Sequence, residues 1–156
     1  MRRINLSQLE VTYDDGDPDG YHTGYARFGK QLEAKMLGAT LYVIEPGQSI
    51  CPYHYEYGNE EWLLVLSGRP TLRDPDGEHE LEPDDVVCFP VGPDGAHKVT
   101  NRTEEPVRIL FLSTVFEPSV AVYPDSDKIG VWPGDARDRV MLKRTDGDVG
   151  YWVGET

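Results

Sequence analysis

Residues 47–68, GQSICPYHYEYGNEEWLLVLSG, decide how the chain is read. His54 and Glu56 stand two residues apart, and Glu61 follows five residues after Glu56. Side chains alternate along a strand, so His54 and Glu56 share a face. The run Trp62-Leu63-Leu64-Val65-Leu66 reads as a second, buried strand closed by Ser67-Gly68. An imidazole and carboxylates converging from neighbouring strands are the donors a divalent metal takes.

The pattern continues on both sides of this stretch. Upstream, Leu37, Ala39, Leu41 and Val43 alternate with Gly38, Thr40, Tyr42 and Ile44. Both sets are mostly apolar, which predicts a strand covered on both faces. Pro46-Gly47 turns it into a strand predicted over 50–56, and Tyr57-Gly58-Asn59 bends the chain into 61–66. Further strands are expected over 70–73 and 78–81, flanking the hairpin turn Asp74-Pro75-Asp76-Gly77. Others are expected over 86–89, 97–101 and 107–115, with 120–123 as the last barrel strand. The loop Pro90–Gly95 delivers His97. Turn signals at this spacing, without a long helical period, predict an all-β sandwich or barrel.

One domain over residues 1–156 is expected. It comprises a core barrel at about 37–123, an N-terminal extension over 1–36 and a C-terminal tail over 124–156. The tail carries Trp132, Val140, Met141, Leu142, Tyr151 and Trp152, too apolar a set for disorder, and is expected to pack on the barrel or on a partner subunit. Asp14–Gly20 is an acidic loop without the closing glutamate of an EF-hand, and reads as a solvated turn.

The formal charge is −13, from 28 acidic and 15 basic residues. That balance argues against nucleic acid and against an anionic membrane surface as partners. Cys51 and Cys88 form no CxxC motif and read as small strand or core residues. No apolar run reaches the length of a signal peptide or a membrane span, so a cytoplasmic location is expected.

The residues resemble the two sequence motifs of the cupin superfamily. Gly47, His54, Glu61 and Gly68 match the first motif; Asp84-Asp85, Pro90-Val91-Gly92, His97 and Asn101 stand in the places of the second. The resemblance covers roughly residues 37–116 and implies a double-stranded β-helix, or jelly roll, with a metal inside the barrel. The chain departs from the pattern in three ways. Glu56 replaces the second histidine of the first motif, Asp84 replaces a glycine, and two extra residues separate Gly92 from His97.

The resemblance carries His54, Glu61 and His97 over as metal ligands, and Glu56 occupies the missing histidine's position. Glu56 is either a fourth ligand or a pocket-facing general base, the one candidate catalytic residue. The expected cofactor is a divalent first-row transition metal: Fe, Mn, Ni, Co or Zn. Without a metal, the histidines would be polar residues satisfied by hydrogen bonds inside the barrel. The implied function is a small metalloenzyme acting on a small organic substrate, by dioxygenase, isomerase, epimerase or lyase chemistry. A non-catalytic small-molecule or metal-binding sensor is the alternative.

Other residues read as structural. Tyr53, Tyr55 and Tyr57 point away from the ligand face and are expected to pack. By the same parity Cys51 is expected on the face opposite His54. His22 and His79 read as ordinary surface or packing histidines. Cupins are often dimers, and with the apolar 37–44 strand and tail this makes a homodimer the expected assembly.

Overall fold

A computed structural model of the chain describes residues 1–145 and 150–154. The strands are β1 (Gly24–Arg27), β2 (Leu37–Ile44), β3 (Tyr55–Tyr57), β4 (Glu61–Ser67), β5 (Thr71–Asp74) and β6 (Gly77–Glu80). They continue as β7 (Val86–Phe89), β8 (Lys98–Thr100), β9 (Val107–Thr114), β10 (Ser119–Tyr123), β11 (Lys128–Trp132) and β12 (Val140–Lys143). The only helical pieces among the described residues are short 3-10 turns, and no helix is long and apolar enough to cross a membrane.

The strands form three antiparallel sheets of a cupin-like jelly roll, ordered β1-β2-β9-β4-β7, β12-β11-β10-β3 and β6-β5-β8. Alternation sorts their side chains. Leu63 pairs with Phe111 and Val65 with Ile109, and this face joins Ile44, Leu72, Phe89, Val99 and Val107 in one core. Trp62 and Leu64 point the other way, opposite Leu112 and Leu110. The β2 strand is covered on both faces only in part. Leu41 and Ile44 are buried, but Leu37 is exposed, as are Trp62 and Val86 on the neighbouring strands.

The expected strand over 50–56 is broken. Ser49 and His54 make isolated bridges to Thr100 and His97, and regular pairing begins only at Tyr55. Pro52 has no N–H to give a ladder, and the bends around it release the segment from strict alternation. Three strands lie outside the sequence expectation. β1 pairs with β2 along the sheet edge, and β11 and β12 extend the β3–β10 sheet, so the tail joins the fold only over 128–143. Contrary to expectation, Val140, Met141 and Leu142 are exposed, because β12 is an edge strand with no layer over it, and Tyr151 and Trp152 are exposed as well.

Asn101 locks the strand ends together. It is fully buried, and its amide donates to the carbonyls of Ile44 and Glu105, both at 2.8 Å. Its side-chain oxygen accepts from the Thr103 N–H at 2.9 Å and the Thr103 hydroxyl at 2.7 Å. The departure at Asp84 is also accommodated: its φ of +76° is the left-handed conformation that glycine favours and aspartate tolerates. Asn101→Ala strands the buried Ile44 carbonyl and loosens the Thr103–Glu105 turn, and is expected to cost about 1–3 kcal/mol. The measurement is the urea midpoint at constant slope, and an unchanged midpoint would remove Asn101 from this role.

Candidate metal centre

The site begins with a pair of backbone hydrogen bonds. The His54 N–H donates to the His97 carbonyl at 3.1 Å, and the His97 N–H donates back to His54 at 2.8 Å. This isolated bridge sets the two rings 4.7 Å apart between centroids. Each ring is then oriented by a carbonyl. His54 Nδ1 lies 3.1 Å from the Pro52 carbonyl, and His97 Nδ1 lies 2.9 Å from that of Gly95. A carbonyl can only accept, so each Nδ1 carries the proton and each Nε2 presents a lone pair.

Both lone pairs face Glu61, the first residue of β4. One Glu61 carboxylate oxygen is 3.6 Å from His97 Nε2 and 4.0 Å from His54 Nε2. The three donor atoms lie within 4.8 Å of one another. These separations are too long for hydrogen bonds. They approach the roughly 3–3.5 Å between donors that each sit ~2.1 Å from a shared ion. His97 Nε2 is the one buried side-chain nitrogen or oxygen among the described residues that has no partner. A divalent ion would satisfy it, so the donor set fits a metal.

The surroundings keep the pair dry. Phe89 stacks on His97 at 3.8 Å between centroids, and Phe111 follows at 5.7 Å. Gly95 allows the close passage of its loop: a β-carbon there would stand 1.8 Å from the Pro90 carbonyl oxygen. The Gly92 N–H donates to the Glu56 carbonyl at 2.8 Å and ties this loop to β3.

Burial moves every titratable group of the site. Desolvation, then the charge of nearby Glu56, pushes the Glu61 carboxyl up to about 8. Desolvation, then the neighbouring His54, lowers His97 to about 3, and desolvation lowers His54 as well. The metal-free site is therefore neutral at neutral pH, with protonated Glu61 and two neutral imidazoles.

Glu56 stands outside the cluster of three. It faces the interior opposite buried Ala121 of β10, and Asn59 lies beside its carboxyl. Desolvation raises its pKa, and the Asn59 contact opposes that rise. Glu56, Asn59, Ser113, Tyr123 and Trp132 are among the residues lining a cavity of about 340 Å³ at the mouth of the barrel. Tyr123 stacks on His54 at 5.7 Å and joins this cavity to the histidines.

Cys51 requires a correction. Its thiol lies 3.6 Å from His54 Nδ1, beside the site rather than on the opposite face. The bends around Pro52 defeat the parity argument there. Burial, foremost, pushes the thiol up to about 12 and leaves it a neutral neighbour of the ring. Cys88 is exposed on β7. Of the tyrosines, Tyr53 is buried with Arg73 3.9 Å over its ring, and Tyr55 meets the exposed Tyr57 edge-on at 5.6 Å. His22 stacks on Tyr13, and exposed His79 lies beside Asp74. Sequence reasoning did not single out Asn59 or Tyr123, because neither belongs to a spacing motif and only strand pairing brings them to the mouth.

The comparisons agree with this architecture. The family model for the cupin domain matches residues 40–113, which hold all three clustered donors. Residues 40–113 are a cupin domain. The cupin fold extends beyond that match. A sugar phosphate isomerase of the cupin superfamily from Silicibacter pomeroyi DSS-3 superposes with a TM-score of 0.81 at 24% identity, over 96% of this chain and 98% of that one. A protein described as a candidate sugar phosphate isomerase from Acidithiobacillus ferrooxidans superposes with a TM-score of 0.82 at 24% identity, over 93% and 92%. A polyketide cyclase from Streptomyces resistomycificus shares the barrel with a TM-score of 0.63 at 20% identity, over 76% and 83%. No curated protein matches the chain. At these identities the likeness is one of fold.

The buried Glu61 makes metal binding depend on pH. Its carboxyl must ionise to ligate, while the lowered histidines are already neutral above about pH 6.5. Uptake of one ion should release about one proton, and affinity should rise about tenfold per pH unit from roughly 6.5 to 8, then level off. Calorimetric titration with Mn or Zn in buffers of different ionisation enthalpy measures both. Affinity independent of pH across that window would mean that Glu61 is not a proton-releasing ligand.

Proposed function

We propose that this cupin holds a divalent first-row metal on His54, Glu61 and His97 and acts as an isomerase on a small hydroxycarbonyl substrate. The observation that carries the metal is the unpartnered, buried Nε2 of His97 aimed at Glu61. The bound ion would supply Lewis-acid polarisation of the substrate's carbonyl. Two neutral imidazoles and one carboxylate leave further coordination positions for that carbonyl.

Glu56 is the proton carrier in this reading. Its carboxylate lines the mouth cavity beside Asn59, which is itself anchored by the Phe116 N–H at 2.8 Å and the Thr114 hydroxyl at 3.1 Å. A carboxylate takes the proton from the hydroxyl-bearing carbon next to the carbonyl, the hydroxyl proton passes to the carbonyl oxygen to give an enediol, and the resulting acid returns its proton to the former carbonyl carbon. Substrate and product have the same atoms and electrons, so no co-reactant is needed. Burial raises the Glu56 pKa and strengthens it as a base near neutral pH. The names of two neighbours that match nearly the whole chain support isomerisation over oxygenation or lyase chemistry.

Elemental analysis of wild type, His97→Ala and Glu56→Gln tests the division of roles. Near-stoichiometric metal is expected in wild type and in Glu56→Gln, with loss in His97→Ala. Exchange of solvent deuterium into a bound hydroxycarbonyl should fall by about 10²-fold or more in Glu56→Gln. Metal loss in Glu56→Gln as well would make Glu56 a fourth ligand. Metal-free wild type that takes up no Mn, Fe, Ni, Co or Zn would end the metalloenzyme reading.

The homodimer and the cytoplasmic location also stand as proposals. The exposed row of Leu37, Trp62 and Val86 on the outer sheet face is the surface a second copy would cover. Light scattering at micromolar concentration should show a dimer, and a monomer removes that expectation.

A further inference from the structure

The tail hairpin carries a feature that the metal site does not use. Tyr123 pairs with Lys128, and Lys128 pairs with Lys143, so the three share one face of the β10–β11–β12 sheet. Ala121, Gly130 and Met141 lie in the adjacent row of the same face, and Ala121 pairs with Glu56. This is therefore the face that looks into the mouth of the barrel. Trp132 lies on it too: a β-carbon on Gly130 would stand 2.5 Å from the indole.

Two cations sit over the aromatic rings of this face. Lys128 Nζ is 5.4 Å from the centre of the Tyr123 ring, and the Arg139 guanidinium is 5.3 Å from that of Trp132. Both rings line the mouth cavity. Among the described residues, neither Lys128, Arg139 nor Lys143 forms an ion pair, although the chain carries 28 acidic side chains. Lys128 is half-buried behind Tyr123, while Arg139 and Lys143 are exposed at the rim of the same hairpin, so the three cations border the mouth cavity behind its two aromatic walls, where an anion entering the mouth can reach them.

We propose that this hairpin face binds the phosphate group of the substrate, so that the substrate is a small phosphorylated hydroxycarbonyl compound. The inference rests on the reading of the metal site given above. A phosphate dianion matches several cations better than a single carboxylate does, and the guanidinium offers it paired donors. Glu56 and Glu117 line the same cavity and repel the charged end, which directs it to the hairpin. Stacking sets the reach: the Tyr123 ring is 5.7 Å from His54 and 5.4 Å from Lys128 Nζ. A sugar phosphate of five or six carbons can place its carbonyl at the histidines and its phosphate at the hairpin.

The test is calorimetric titration of the metal-loaded full chain with inorganic phosphate, D-ribose 5-phosphate, D-glucose 6-phosphate, D-glucose and D-gluconate. Wild type should bind inorganic phosphate and at least one phosphorylated sugar, and should bind D-glucose and D-gluconate at least tenfold more weakly. Arg139→Gln and Lys128→Gln should each weaken the phosphorylated ligand at least tenfold with unchanged metal content, and Arg139→Lys should recover part of the loss. Wild type that binds no phosphate compound at millimolar concentration overturns the proposal. So do variants that bind like wild type, or gluconate bound as tightly as the phosphate ester. Metal titration of the same samples separates the two readings: phosphate binding without metal uptake would retain the anion site and reject the metalloenzyme.

Discussion

The structure depends on two backbone hydrogen bonds between His54 and His97. They join the first motif to the second across 42 residues of intervening chain, and they do so at two of the three clustered donor residues. Backbone pairing fixes where the rings start, and the carbonyls of Pro52 and Gly95 fix how they turn. The outcome is a pair of lone pairs aimed at one carboxylate, with no freedom left in either imidazole. Preorganisation of this kind moves the entropic cost of ordering the ligands from the binding step to folding.

Burying those groups carries an electrostatic cost that shapes the surroundings. A neutral imidazole under a phenyl ring is tolerable, whereas an ionised carboxylate beside a second carboxylate is not, which is why Glu61 holds its proton. The acidic surface of the chain adds to the negative potential around the mouth. The cations Lys128, Arg139 and Lys143 stand on the tail hairpin, apart from the cluster of His54, Glu61 and His97. The proposed metal site and the proposed anion site therefore lie on different parts of the chain.

Much of this was legible from residue order alone. The period-two runs at 37–44, 61–66, 86–89 and 107–115 became strands at nearly those positions, because one face of each fills a common core. His54, Glu61 and His97 converged as their motif positions implied. The failures have physical causes. The 50–56 run alternates on paper, but Pro52 interrupts it, and Cys51 consequently turns toward His54. β1, β11 and β12 were missed because Gly24–Arg27 and the tail mix glycine, charge and apolar residues without a period, and only pairing to a neighbour makes them strands. Asn59 and Tyr123 reach the site through the third dimension and left no spacing signal.

The short bond from Gly92 to the Glu56 carbonyl has a mechanical consequence. The loop that carries Gly95, and through it the orientation of His97, is clasped to the strand that carries Glu56. A load on one side of the mouth is transmitted to the other through a single rigid strap, so the coordination sphere and the acid–base residue cannot be tuned as independent parts. A substitution that shifts Glu56 to suit a new substrate would drag the His97 ring with it. Adaptation of this barrel is therefore easier at its far rim, where the hairpin can be rewritten without straining the clasp.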